Sequence, residues 1–335
     1  MPNSPDVRTT HPLPGDPSLR VDVREGEIIA PASGALPMER ELVEPGRHLP
    51  PPIRAMRPVQ WSKNLLVFAA LLFSLNVFDL TRFAQAVGAF VVFCAVSSAI
   101  YLLNDVLDRE QDIYHPVKRM RPIASGQVKP STAIWIAIVL AAGAVAGAIL
   151  INPELALVVV AYLALMVSYS FGLKRVVLLD VIMISIGFVL RAAAGAVAID
   201  VPISPWLYIC SMLLALMLAF GKRRHELLML RDSASRHRAN LDAYSVPLLD
   251  QIIAVTSSSA VVAYSVYTFT SPTLPDNHSM MLTIPIVLYA VFRYLFLIYK
   301  EHLGGSPELL LMHDRPTQVS ILLWAVASGA ILYWN

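Results

Sequence analysis

The chain has 335 residues, 56% of them hydrophobic and 15% charged, with a net charge of +2. A mean hydropathy of +0.60 and so few charges exclude an ordinary soluble domain, in which about a quarter of residues are charged. The near-neutral sum gives no basis for a nucleic-acid partner. The composition predicts an all-α integral membrane protein, because helices satisfy their own backbone in lipid.

Residues 1–52 differ from the rest. They are rich in Pro and charge, carry no apolar run and no helical period, and end in Pro50, Pro51 and Pro52. They are expected to form a disordered cytoplasmic tail, and residues 53–335 a transmembrane catalytic domain. Nine apolar segments follow, at 61–78, 83–103, 132–151, 154–171, 176–199, 205–220, 252–270, 280–299 and 317–334. The loops after segments two, four, six and eight carry nearly all the Lys and Arg, among them Arg109, Lys129, Arg175, Arg231, Arg236, Arg238, Lys300 and Arg315. Arg54, Arg57 and Lys63 precede or open segment one. The opposite loops contain only Arg82. The positive-inside rule therefore predicts a nine-transmembrane-helix bundle, multi-pass in the cell membrane, with a cytoplasmic N-terminus. Cys94 and Cys210 fall inside spans and read as packing residues.

The stretch 104–126, NDVLDREQDIYHPVKRMRPIASG, lies where the second segment ends. If that helix continues, Asn104, Asp105, Asp108 and Asp112 occupy an arc of about 100°. Crowded carboxylates repel unless a cation lies among them. Hard oxygens at this spacing suit Mg2+, which keeps waters and shares substrate phosphates. Asn104, Asp108 and Asp112 are the expected metal ligands, and Asp105, Asp108 and Asp112 the expected catalytic carboxylates. Lys118, Arg119 and Arg121 follow directly and suit phosphate oxygens. A metal site beside a cationic cluster points to a diphosphate ligand.

Further groups fall on the same side. Tyr101 shares the arc of Asn104 and Asp108. Lys174 and Arg175 fit either ligand contact or positive-inside anchoring. Arg191 sits deep in segment five, where a charge normally faces a cavity or a partner, and Asp180 shares its face. Lys63 can snorkel outward or reach the cavity. Lys222, Arg223 and Arg224, followed by His225 and Glu226, form a second basic wall. Further on come Arg231, Asp232, Asp242, Tyr244 and Asp250. His115, before Pro116, reads as a turn residue, and His225, His237 and His313 have no partner at metal spacing. No nucleophile elbow, Walker sequence or Rossmann glycines occur.

From about residue 53 onward the chain resembles the UbiA-type polyprenyl transferases. Their NDxxDxxxD motif stands here as Asn104, Asp105, Asp108 and Asp112. The resemblance implies nine helices and a cytoplasmic-side cavity. Typical members carry a second Asp-rich DxxxD after segment six. Here Lys222, Arg223, Arg224, His225 and Glu226 stand in its place, which suggests ligands with an additional phosphate. Gln60-Trp61-Ser62-Lys63-Asn64, His115 to Gly126 and Phe171 to Lys174 are similar to the decaprenyl-phosphate phosphoribosyltransferase branch. That likeness implies transfer of phosphoribose from phosphoribosyl diphosphate to a polyprenyl phosphate, with Mg2+, for cell-wall arabinan. It implies that Asn104, Asp105, Asp108 and Asp112 serve the metal, and that Lys118 and Arg121 neutralise leaving pyrophosphate. Lys174, Arg191 and Lys222 would position a C5 or lipid phosphate. Lys63, Tyr101, Arg119 and Arg223 complete the expected substrate-binding set, membrane lipid surrounds the bundle, and homo-oligomerisation stays open. The alternatives are prenyl transfer from a polyprenyl diphosphate to an aromatic acceptor, and an anion or lipid transporter.

Overall fold

The computed structural model describes residues 23–24, 27–28, 48–115, 118–202, 204–229, 241–271, 273–301, 303–307, 310 and 313–334. Most of the expected tail lies outside these residues, as do Arg231, Asp232, Arg236, His237, Arg238, Pro116 and the side chain of Asp242. Two compact units are present, 1–43 and 44–335. In the first, Val23–Arg24 (β1) pairs antiparallel with Glu27–Ile28 (β2), Val23 opposite Ile28. The pairing of β-branched residues suits an extended backbone.

The second unit is helical. After Pro51–Ala55 (α1) come a 3-10 helix at Pro58–Phe68 and Ala69–Phe73 (α2). Then follow Leu80–Leu107 (α3), Arg109–Tyr114 (α4), Pro130–Ile151 (α5), Pro153–Phe171 (α6) and Leu179–Ala198 (α7). Pro205–Met229 (α8), Val246–Thr270 (α9), Ile284–Tyr299 (α10) and Arg315–Trp334 (α11) complete it. Among the described residues eight helices are long and apolar enough to cross a membrane. This unit is that of a multi-pass, helical membrane protein.

Helix starts follow local capping chemistry. Asp79 Oδ1 accepts from the N–H groups of Thr81 and Arg82 at 2.9 and 3.1 Å, opening α3. Asn152 accepts from Glu154 N–H at 2.8 Å, opening α6, while its amide donates to the Val197 carbonyl at 3.0 Å and ties α6 to α7. Asp314 accepts from Thr317 N–H at 3.0 Å before α11 and pairs with Arg293 at 2.7 Å.

Two apolar cores share α7. One gathers Val67, Phe93, Val96, Leu155, Val159 and Ala194. The other gathers Val181, Met217, Phe220, Ile253, Val291 and Leu297. The first predicted segment differs from the rest, since 58–68 is wound as 3-10 helix and only 69–73 as α. Its backbone presses onto α7, where a Cβ added to Gly195 would lie 1.9 Å from the Val67 carbonyl oxygen. The small-residue run around Gly195 admits that approach, and hydropathy does not encode it.

Candidate active site

A cavity of about 1930 Å³ extends through the bundle, with Asn104, Asp108 and Lys174 toward one end and Arg82 and Asp200 toward the other. Lys63, Tyr101, Asn104, Asp108, Asp112, Lys118, Arg121, Lys174, Arg191, Lys222 and Arg223 all line it. Of the expected metal, catalytic and substrate-binding residues, Asp105 and Arg119 do not.

The backbone explains how the acidic motif is distributed. α3 ends at Leu107, Asp108 adopts φ −92° and ψ 1°, and α4 starts at Arg109. The i→i−4 bonds nevertheless run on through the motif, from Asp108 N–H to the Asn104 carbonyl and from Asp112 N–H to the Asp108 carbonyl, both at 2.9 Å. The four oxygen-bearing side chains divide as that spacing places them, Asn104 with Asp108 and Asp105 with Asp112. Asn104 and Asp108 direct their Oδ1 atoms to one point, where Lys174 Nζ donates to both, to Asn104 at 3.3 Å. Asp105 and Asp112 turn to Arg121 instead, whose Nη1 donates to them at 3.0 and 2.6 Å. Arg57 Nη2 also donates to Asp105. Burial pushes the Asp112 carboxyl above the usual carboxylate range, while Arg121 and Lys118 pull it back. Burial and the charge of Arg57 lower Arg121, against Asp105 and Asp112.

The basic turn is sorted by its own geometry. Lys118–Met120 is a 3-10 turn, so positions three apart face alike. Lys118 and Arg121 line the cavity, while Arg119 is exposed outside it. His115 Nδ1 accepts from Lys118 N–H at 3.3 Å, the turn role expected of it.

Arg191 lies buried among protein partners. Its Nε donates to Asn64 Oδ1 at 2.7 Å, Nη1 to the Gly187 carbonyl at 2.9 Å and Nη2 to Tyr162 Oη at 2.7 Å. Its guanidinium also lies over the Tyr162 ring, 4.9 Å from the centroid. Asp180 does not face the cavity beside it. It is fully buried and accepts from Arg223 Nε at 2.9 Å and Tyr244 Oη at 3.2 Å. Arg223 Nη1 donates to Glu226 at 2.5 Å. On the second basic wall Lys222 reaches the cavity, while Arg223 is drawn into this network.

The donor set fits a hard divalent cation. Two convergent oxygens, one amide and one carboxylate, already receive an ammonium in the position a cation would take. Among the described residues no three acidic, His or Cys side chains converge. A site with few protein oxygens is what Mg2+ uses when waters and substrate phosphates fill the rest. Arg57 and Gln111 also line the cavity, and neither carries a ligand signal in the sequence, where Arg57 reads as a positive-inside charge.

Comparison with known proteins agrees with this architecture. The model of the UbiA prenyltransferase family matches residues 65–312. The chain is 36% identical to a decaprenyl-phosphate phosphoribosyltransferase of Mycobacterium tuberculosis over 282 residues, covering 83% of this chain and 93% of that protein. It is 35% identical to the protein of that name from Mycolicibacterium smegmatis, covering 84% and 92%. A UbiA homolog from Archaeoglobus fulgidus, solved with GPP and Mg2+ bound, superposes with a TM-score of 0.67 at 19% identity, covering 84% of this chain and 99% of that one. With the family model spanning well over half its length, the chain belongs to the UbiA prenyltransferase family.

Proposed function

We propose that the protein transfers the 5-phosphoribosyl group from phosphoribosyl diphosphate to a polyprenyl phosphate, releasing pyrophosphate. The observation that carries this reading is the pairing of two walls. Asn104 and Asp108 present convergent oxygens beside Lys118, Arg121 and Lys174, and the opposite wall offers Lys222 where a second acidic pair would hold another metal. The names of the mycobacterial relatives support it. The product would be a lipid-linked pentose phosphate for cell-wall arabinan.

Asn104 and Asp108 would hold Mg2+ near the donor's diphosphate, with Asp112 at its edge. Bound there, Mg2+ would neutralise negative charge on the diphosphate as pyrophosphate departs. Lys118 and Arg121 hydrogen-bond the same leaving group and stabilise the charge that develops on it. Lys174 then turns from the carboxylate to a phosphate. Lys222 and Lys63 hold the remaining phosphate, that of C5 or of the lipid, and Tyr101 bounds the ribose. A lipid monophosphate is largely dianionic near neutral pH, its second pKa being about 6. It therefore attacks C1 without a strong general base. The C1–O bond to pyrophosphate breaks with its electron pair on oxygen, a C1–O bond to the lipid phosphate forms, and the anomeric centre inverts.

We infer nine crossings, counting the 3-10 segment as the first. At about 2.0 Å per 3-10 residue and about 1.5 Å per α residue, 58–73 extends about 30 Å, the thickness of the hydrocarbon core. The basic loops then lie in the cytoplasm at the plasma membrane, with the Asp108 end of the cavity facing them.

Membranes containing the protein, given labelled phosphoribosyl diphosphate, polyprenyl phosphate and Mg2+, are expected to yield a labelled lipid extract. Asp108→Ala is expected to lower turnover about a hundred- to a thousandfold, as removal of a transition-state charge stabiliser does. A prenylated aromatic product from a prenyl diphosphate, with no labelled lipid, would replace this reading.

A further inference from the structure

The loop that carries Arg57 is built onto one stripe of α3. Ser98, Tyr101 and Asp105 lie within about 60° of each other around that helix, and each holds the loop. Ser98 Oγ lies 3.1 Å from the Met56 carbonyl and accepts from Trp61 Nε1 at 3.0 Å. The Tyr101 ring lies under the Arg57 guanidinium, 5.0 Å from its centroid. Asp105 takes Nη2 of Arg57 and Nη1 of Arg121. The Arg57 backbone sits at φ 56° and ψ 62°, a left-handed conformation uncommon for a residue with a side chain and immediately before a proline. Such strain persists where the surroundings over-determine it, and it gathers at ligand sites.

Exposure decides which of these groups can meet a ligand. The Asp105 side chain is 2% exposed, while Arg57 and Arg121 are 26% and 28% exposed. Both guanidiniums line the cavity and Asp105 does not. Asp112, which also takes Arg121, is 5% exposed. The charges of the four groups cancel in sum, but Asp105 lies behind the cavity wall and Asp112 is nearly buried in it, while both guanidiniums are more open, so the surface offered to a ligand is mainly positive. Two guanidiniums drawn onto one carboxylate sit close enough to engage neighbouring phosphoryl oxygens, for which the planar fork is suited.

We propose that Arg57 binds the donor's diphosphate together with Arg121, and that Asp105 is a positioning residue that sets the two guanidiniums rather than a metal ligand. This rests on the donor assignment above. It predicts a division of labour inside the acidic motif, with Asn104 and Asp108 serving the cation and Asp105 serving the arginines.

The test is steady-state kinetics on the full chain in membranes, with phosphoribosyl diphosphate, lipid phosphate and Mg2+ varied in turn. Donor binding is read separately, without acceptor, as a shift in thermal unfolding. Asp105→Asn and Arg57→Gln should each raise the donor KM about tenfold or more, as loss of a charged hydrogen bond does. Both should shrink the donor-induced thermal shift, and leave the Mg2+ half-saturation and the lipid-phosphate KM unchanged. The double variant should fall short of the product of the single effects, because Asp105 acts through Arg57. Arg57→Lys keeps the charge without the fork and should lie between wild type and Arg57→Gln, so the arginine variants carry the test if Asp105→Asn does not fold. A raised Mg2+ half-saturation with unchanged donor KM in Asp105→Asn makes Asp105 a metal ligand and overturns the proposal. So does a wild-type donor KM in Arg57→Gln. An active wild type with unaltered variants sinks this inference alone, whereas a wild type that turns over no phosphoribosyl diphosphate sinks the donor assignment as well.

Discussion

The two charged walls of the cavity look alike in sequence, each a short run of ionisable residues at a helix end, yet they are constructed in opposite ways. On the α3–α4 side, Asp108 keeps 25% of its side chain exposed and its partner is the flexible ammonium of Lys174. On the α8 side, Arg223 is 3% exposed and locked between Asp180 and Glu226. An ion pair with one mobile, half-open member can be exchanged for a ligand. A sealed pair with a rigid guanidinium holds helices together. The first arrangement suits chemistry and the second suits architecture, and on the function proposed above Lys222 is the ligand-binding charge of its wall.

Substitutions can break that contrast. The largest effect after Asp108→Ala is expected from Asp180→Ala, which removes the fully buried carboxylate from Arg223 and leaves it the partly exposed Glu226. Breaking a buried pair this way costs about 3–5 kcal/mol, so the variant should unfold at markedly lower temperature in detergent. A wild-type melting temperature would remove Arg223 from the architectural class. Lys222→Ala should leave the melting temperature alone and raise the KM of one phosphate substrate about tenfold, the effect of one lost charged hydrogen bond. Unchanged KM values for both substrates would deprive the α8 wall of any ligand role. The smallest effect is expected at Asp314. Its bonds to Arg293, and to Thr317 at the start of α11, hold its carboxyl down at about 2, against some opposition from burial. A depressed carboxylate contributes stability above its unfolded value of about 3.9, and that contribution disappears as pH falls through about 2. Asp314→Ala should therefore lower stability by about 1 kcal/mol near neutrality, the worth of a helix cap. It should match wild type at the acid end, which thermal melts across pH would check.

The sequence made the spanning helices legible because an apolar run of that length in lipid has few alternatives. It also made the Asn104–Asp108 pair legible, since both lie within reach of a helix that is clearly present. What it could not reveal depended on partners. Asp112 turns to Arg121 nine positions on, and the helical period carries no mark of that pairing. Arg119 was grouped with its neighbours because a run of cations carries no mark of the 3-10 turn that sorts them. Arg223 was read as a ligand because its partner Asp180 lies 43 residues away in the chain, and no local pattern announces a pairing of that kind. Arg57 was hidden by a bland explanation, positive-inside charge, that fits any basic residue at a membrane edge.

The tight winding of 58–68 has a further consequence for register. Wound as an ordinary α-helix, eleven residues would be about 5 Å shorter. With its far end anchored at Val67 beside Gly195, the segment would then draw Arg57 away from Asp105 by about one helical turn, and Trp61 away from Ser98 by about half as much. A single missing Cβ on a distant helix thus sets the depth at which a guanidinium meets its carboxylate.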